Sequence, residues 1–176
     1  MTATLERFHT LFEPEFARLL ALDIRLNRNG VISAWGLLAT TDMLLPAASA
    51  IKRAGGRLST ITAYQLRQDE PSGICEIAYH FDIDGATLTL TAHLDEDQPA
   101  IDSITPLFRN ADWHEREFME LYAIEVKGHP NPRRLFIDEN IDRAVLQHFI
   151  PFSDMVNAAS TQTLWEKIMS ARGESR

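Results

Sequence analysis

Three carboxylates crowd one short stretch, Glu115, Glu117 and Glu120, with Arg116 set among them. Paired carboxylates are the side chains of general acid–base work. The plainer reading of the same residues is a helix with a capping Glu115 and an i,i+4 ion pair between Arg116 and Glu120. Six histidines invite a metal. His114-Glu115 opens like a zinc helix, but the residue four beyond His114 is Phe118, where such a helix needs its second histidine. Cys75 is the sole cysteine, so it can make neither an internal disulfide nor a thiolate cluster. The chain lacks GxGxxG, GxxxxGK[ST], GxSxG and HExxH. No ligand set or binding loop for a redox cofactor is legible.

The elements that carry these residues belong to one ordinary domain of 176 residues, 45% apolar and 24% charged. A net charge of −8 repels phosphate backbones, and the longest basic run is Arg133-Arg134, which argues against nucleic acid as a partner. There is no run of 18 apolar residues, and the opening residues lack the basic-then-apolar pattern of a signal peptide. The expected compartment is the cytoplasm.

Leu5, Phe8, Leu11, Phe12, Phe16, Leu19 and Leu20 recur at helical spacing, so residues 4–20 are expected to be helical, interrupted at Pro14. Asn29-Gly30 marks a turn, and residues 31–38 a strand. Thr41 or Asp42 is positioned to cap a helix that runs to about Ala54 and stops at Gly55-Gly56. Residues 57–66 are rich in β-branched side chains and predict a strand. Two further strands, 74–83 and 86–94, flank Asp84-Gly85, a two-residue hairpin signal.

Pairing Ile83 with Ala86 puts Cys75, Ile77, Tyr79, Phe81, Leu88, Leu90, Ala92 and Leu94 on one face. Glu76, Ala78, His80, Asp82, Thr87, Thr89, Thr91 and His93 fall on the other. His80 and His93 are then four pairs apart, about 13 Å, too far to share an ion. Glu76 faces His93 across the strands. Cys75 falls on the apolar side as an inert core residue. Helices before and after this meander predict an α+β fold, an antiparallel or mixed sheet with helices on one face.

Asp112-Trp113-His114-Glu115 reads as a capping box. Asp112 would accept from the Glu115 backbone, and the Glu115 carboxylate would reach back. Phe118, Leu121 and Tyr122 form the apolar side of the helix that follows. Pro130 and Pro132 stiffen residues 128–137. The stretch from Trp113 to Leu135 concentrates Trp113, Arg116, Tyr122, His129, Pro130, Arg133 and Arg134, the residue types that anchor interfaces. One of the two arginines could clamp Glu117 or Glu120 while the other meets a partner. Equally, both could be solvated or could lock the loop to its own helix. Residues 1–137 are expected to form the α+β body, and 138–176 an irregular tail of the same domain with a short helix over 164–171.

Ser103-Ile104-Thr105, Ala111-Asp112-Trp113-His114-Glu115-Arg116-Glu117, Glu120-Leu121-Tyr122-Ala123-Ile124, Gly128-His129-Pro130 and Arg133-Arg134-Leu135, in that order and spacing, resemble the 30-kDa subunit family of respiratory complex I. The likeness runs over about residues 57–137. It implies a cofactor-free structural subunit in the peripheral arm of a complex I-like oxidoreductase or energy-converting hydrogenase. The implied partners are the hydrogenase-like large subunit and the small iron–sulfur subunit. Iron–sulfur clusters, with NADH and FMN or a NiFe centre, would reside in partner subunits. The chain would sit on the inner face of the cell membrane through the complex alone.

Carried over, Glu115, Arg116, Glu117 and Glu120 hold helix and loop together, while His129, Pro130, Arg133 and Arg134 shape the partner surface. Ala123 replaces a glycine usual in the family, which implies a turn with less need of left-handed backbone. The family's continuation after Leu135 is missing. Two other readings remain open: a stand-alone acid–base enzyme using Glu117 and Glu120, and a general protein-binding adaptor.

Overall fold

A computed structural model describes residues 19–65, 75–94, 99–136 and 138. Residues 4–18 of the helical stretch expected over 4–20, the helix expected over 164–171 and the tail from residue 139 onward lie outside the described residues. Residues 1–139 cluster as one compact unit, with 140–176 as a second.

The strands are β1 (Leu19–Leu26), β2 (Ile32–Leu38), β3 (Arg57–Gln65), β4 (Cys75–Ile83) and β5 (Ala86–Leu94). They form one mixed sheet in the order β1-β2-β5-β4-β3. Its centre, β2 beside β5, is parallel, and every other pair is antiparallel. Leu19 and Leu20, expected at the end of a helix, belong to β1. Tertiary pairing with β2 overrides their helical spacing, since a short apolar run satisfies either period.

The β4–β5 register is the expected one, from Ile83↔Ala86 to Cys75↔Leu94. Asp84 (φ 51°) and Gly85 (φ 80°) both take left-handed backbone. That is the two-residue turn whose twist matches paired strands. The inward side chains of β4 and β5 are buried with those of Ile32, Ala34 and Leu38.

Helix α1 (Leu44–Arg53) follows a 3₁₀ turn at Thr41–Met43. Neither start carries a side-chain cap, so the expected cap at Thr41 or Asp42 is not made. The 3₁₀ turn itself supplies backbone bonds at this end. Leu44, Ala47, Ala48 and Ile51 recur at three- and four-residue spacing and are buried. The C-terminus closes as expected at the glycines: the Gly55 amide donates to Lys52 O and the Gly56 amide to Ile51 O.

Helix α2 (Ala111–Leu121) buries Ala111, Glu115 and Phe118. Phe108, just ahead of it, packs its ring 5.3 Å from that of Phe81 in the core. Two three-residue strands that the sequence pattern does not announce, β6 (Ala100–Asp102) and β7 (Glu125–Lys127), pair in parallel on either side of α2 in the chain. Three residues are too few for a period to register.

Candidate functional site

The short β6–β7 pair brings two loops together. The Ser103 amide donates to Lys127 O (2.9 Å), so residues 103–105 run beside Gly128 and His129. The chain then turns through Leu107 and Phe108, whose amides both reach Ile104 O, and enters α2. One turn into α2, Glu115 points back at this turn and is almost wholly buried. Its carboxylate accepts from Ser103 Oγ (2.5 Å), the Ile104 amide (2.7 Å) and Thr105 Oγ1 (2.7 Å). Ser103 Oγ in turn accepts from the Thr105 amide at 3.2 Å.

The capping box is therefore not formed. Asn110 occupies the N-cap without a side-chain capping bond, its Nδ2 donating instead to Leu58 O at 2.9 Å, and Glu115 bridges segments instead of reaching back along its own helix. A buried carboxylate needs several donors, and the Ser103–Thr105 turn offers three at one place. Burial pushes the Glu115 carboxyl above its usual range, and these donors together with His129 pull the other way.

His129 also lies against Glu115 Oε2, its ring sealed from solvent. Nδ1 accepts from the Asn131 amide at 3.0 Å. That acceptor role assigns the ring proton to Nε2. Nε2 faces Asp112 O at 3.3 Å, Asp112 Oδ1 at 3.4 Å and Glu115 Oε2 at 3.5 Å. Tyr79, fully buried on β4, completes the surroundings. Burial first, and then the Glu115 charge, push its phenol well up.

Two more contacts continue along the helix. Arg116 donates from Nε to Arg133 O (2.7 Å) and from Nη2 to Arg134 O (2.6 Å). Glu120 Oε2 accepts from the Leu135 amide (2.7 Å) and the Phe136 amide (2.9 Å). The loop from His129 to Phe136 is thus lashed along α2 at Asp112/Glu115, then Arg116, then Glu120, one helical turn at a time. Pro130 and Pro132 carry no amide to satisfy.

The arginines reach the helix through their backbone carbonyls. Arg133 Nε bonds Asn131 Oδ1 (3.0 Å), and Arg134 Nη1 bonds Asp138 O (3.0 Å). Glu117 lies near Tyr122 instead. Burial, then the charges of Cys75 and Glu117, raise that phenol. Trp113 stands outside the network at 67% exposure, and Phe136, whose amide is bonded to Glu120, is 64% exposed. Ala123, after α2, has φ 54°. The turn keeps its left-handed backbone without glycine, against the expectation of a relaxed one.

The outer sheet face carries a second polar chain. Tyr64 OH on β3 donates to Glu76 Oε1 on β4, and Glu76 Oε2 meets His93 Nε2 on β5 at 3.2 Å. The expected Glu76–His93 pair is present, and Tyr64 is a third member that no short-range pattern signals. Its hydrogen bond to Glu76 and burial push the Tyr64 phenol up to about 12. His80 bonds Thr89 across the same strands at 3.0 Å.

The sequence profile of the respiratory-chain NADH dehydrogenase 30 kDa subunit matches residues 37–162. The chain belongs to that family. Among relatives of the 30 kDa subunit family, a subunit of the NADH-quinone oxidoreductase of Caulobacter sp. (strain K31) is 30% identical over 141 residues, covering 74% of this chain and 65% of that protein. A subunit of the NAD(P)H-quinone oxidoreductase of Synechococcus sp. (strain CC9902) is 51% identical over 45 residues, 26% of this chain and 23% of that one. The matched part is thus under a quarter of the Synechococcus relative's length.

The fold is shared with a trypsin-resistant fragment (1–134) of Nqo5, with TM-score 0.54 and 21% identity over 71% of this chain and 98% of the fragment. It is also shared with a chain of the membrane-bound sulfane sulfur reductase, an archaeal respiratory membrane complex, with TM-score 0.57 and 13% identity over 81% of this chain and 83% of that one. Among the described residues no helix is long and apolar enough to cross a membrane.

Proposed function

We propose that this 30 kDa-family chain is a cofactor-free structural and assembly subunit in the peripheral arm of a complex I-like membrane oxidoreductase. It docks on the hydrogenase-like large subunit, beside the small iron–sulfur subunit, on the inner face of the membrane. The electron-carrying groups belong to those partners. One observation supports this reading above the others. The charged side chains that could do chemistry, Glu115, Arg116 and Glu120, are committed to holding a loop against a helix. A general acid or base must instead present a carboxylate to a substrate. The acid–base reading therefore loses Glu120 to two backbone amides, and Glu117 alone makes no pair.

The test is purification of the tagged chain from detergent-solubilised native membranes. The large and small subunits are expected at equal stoichiometry, and the chain freed from them is expected to be colourless. A stoichiometric prosthetic group on the lone chain, or a preparation without the large subunit, would refute the proposal.

A further inference from the structure

We infer that His129 is a proton-operated latch on the loop that follows it: the neutral ring holds Asn131 in place, and a second ring proton releases residues 130–132. The latch works within this chain and does not depend on the partners proposed above.

One bond is the moving part. Nδ1 of the sealed ring accepts from the Asn131 amide at 3.0 Å. Only a neutral imidazole protonated at Nε2 has a lone pair to offer there. A proton taken up from water at Nδ1 makes both ring nitrogens donors. No rotation of the charged ring then restores an acceptor, and the Asn131 N–H faces another N–H. On its other side the ring keeps its partners. Nε2 lies 3.3 Å from Asp112 O, 3.4 Å from Asp112 Oδ1 and 3.5 Å from Glu115 Oε2. These contacts are long for a neutral ring, and charge is what tightens N–H···O⁻ pairs. Among the described residues, Asp112 Oδ1 is buried with no hydrogen-bond donor, so the charged ring supplies one it lacks. Protonation therefore breaks the ring's bond to its own loop and strengthens its hold on α2.

The surrounding charges agree with that outcome. From α2, Asp112 and Glu115 bring two carboxylates to Nε2. From β4, Tyr79 stands near Glu115 as a phenol that keeps its proton. The 103–105 turn brings two hydroxyls and an amide, all bonded to Glu115. The loop's cations lie beyond the latch. Arg133 Nε bonds Asn131 Oδ1, and Arg116 bonds the carbonyls of Arg133 and Arg134. Lys127 on β7 is exposed.

Release is local. Pro130 and Pro132 are exposed and Asn131 is half-buried, so the freed amide turns to water and little apolar surface is uncovered. Arg116 and Glu120 still hold residues 133–136.

The experiment is amide hydrogen exchange of the full-length chain, read by NMR. The pH is lowered from about 8, across the range in which imidazoles charge, until the His129 ring is doubly protonated or the chain unfolds. Ring nitrogen shifts report the protonation state, and protection is taken relative to the intrinsic exchange rate at each pH. The neutral Nε2–H tautomer is expected at the start. As the ring charges, Asn131 protection is expected to fall at least tenfold, while the Leu135 and Phe136 amides keep theirs. His129→Asn puts an amide oxygen near the place of Nδ1, an acceptor at every pH, and should keep Asn131 protected throughout.

An Asn131 amide that stays protected beside a charged ring would overturn the inference. So would a ring that stays neutral until the chain unfolds, or joint loss of protection at Asn131, Leu135 and Phe136. Equal loss in a His129→Asn chain that melts like wild type would move the trigger to Asp112 or Glu115 and also overturn it. If that variant melts early, the three wild-type amides decide alone.

Discussion

Glu115 is the residue on which the site turns. Three donors from one turn converge on a carboxylate that burial alone would expel. Glu115→Ala orphans the Ile104 amide and opens a cavity, so a loss of about 2–4 kcal/mol is expected in denaturant melts. Glu115→Gln tests the charge. Because the folded-state carboxyl titrates above its unfolded value, the proton is held more tightly in the native state. The stability this contributes is full below the unfolded value of about 4.3 and is lost as pH rises through the raised one. Wild-type stability relative to Glu115→Gln, which does not titrate, should therefore fall as pH rises from 4 to 7. A flat difference would show that the donors cancel burial.

Arg116 and Glu120 make a separate prediction. Their bonds withhold the Arg134–Leu135 peptide from the extended conformation a protease requires. Trypsin should cut after Arg134 at least tenfold faster in Arg116→Ala or Glu120→Ala than in wild type, read by mass spectrometry of timed digests.

Single backbone positions decide how the elements end. Gly56 closes α1 against the sheet. A Cβ there would sit 2.5 Å from Ile51 Cγ2 and 2.9 Å from Ile51 O. Gly56→Ala should cost about 1–3 kcal/mol by overpacking, measured as a lowered thermal midpoint. The opposite effect is expected after α2. Ala123 holds φ 54°, which an L-residue adopts at a cost of about 1–2 kcal/mol. Ala123→Gly removes that strain, offset by the wider freedom of glycine in the unfolded chain. A gain of about 0.5–1 kcal/mol is expected in the same melts.

The elements also show where sequence periodicity suffices. The β4–β5 hairpin was legible to the residue because one face is apolar along both strands and Asp84-Gly85 fixes the turn. The capping box at Asp112 was not. Its letters are present, but a turn eleven residues upstream offered Glu115 better partners than its own N-terminus.

Over the whole molecule, the three tyrosines report one property. Tyr64, Tyr79 and Tyr122 all have raised phenols, the first through Glu76 and the other two chiefly through burial. Each keeps its proton in the native state past the unfolded value of about 10. Their stabilising effect is full below that value and fades as pH climbs toward the folded ones. Phenolate absorbance should therefore stay low until the protein unfolds in base, and then rise together with the loss of far-ultraviolet circular dichroism. Absorbance that rises first would show a phenol open to water.

Composition, hairpin register and the ordered run from Ser103 to Leu135 were enough to assign an α+β chain to its family, because those signals are local and one-dimensional. The order β1-β2-β5-β4-β3, the strand at residues 19–26 and the lash along α2 were not readable there. Parallel pairing, β6 against β7 above all, joins segments more than twenty residues apart. Where a buried carboxylate finds its donors depends on which loop that pairing brings alongside, and spacing along the chain carries no record of it.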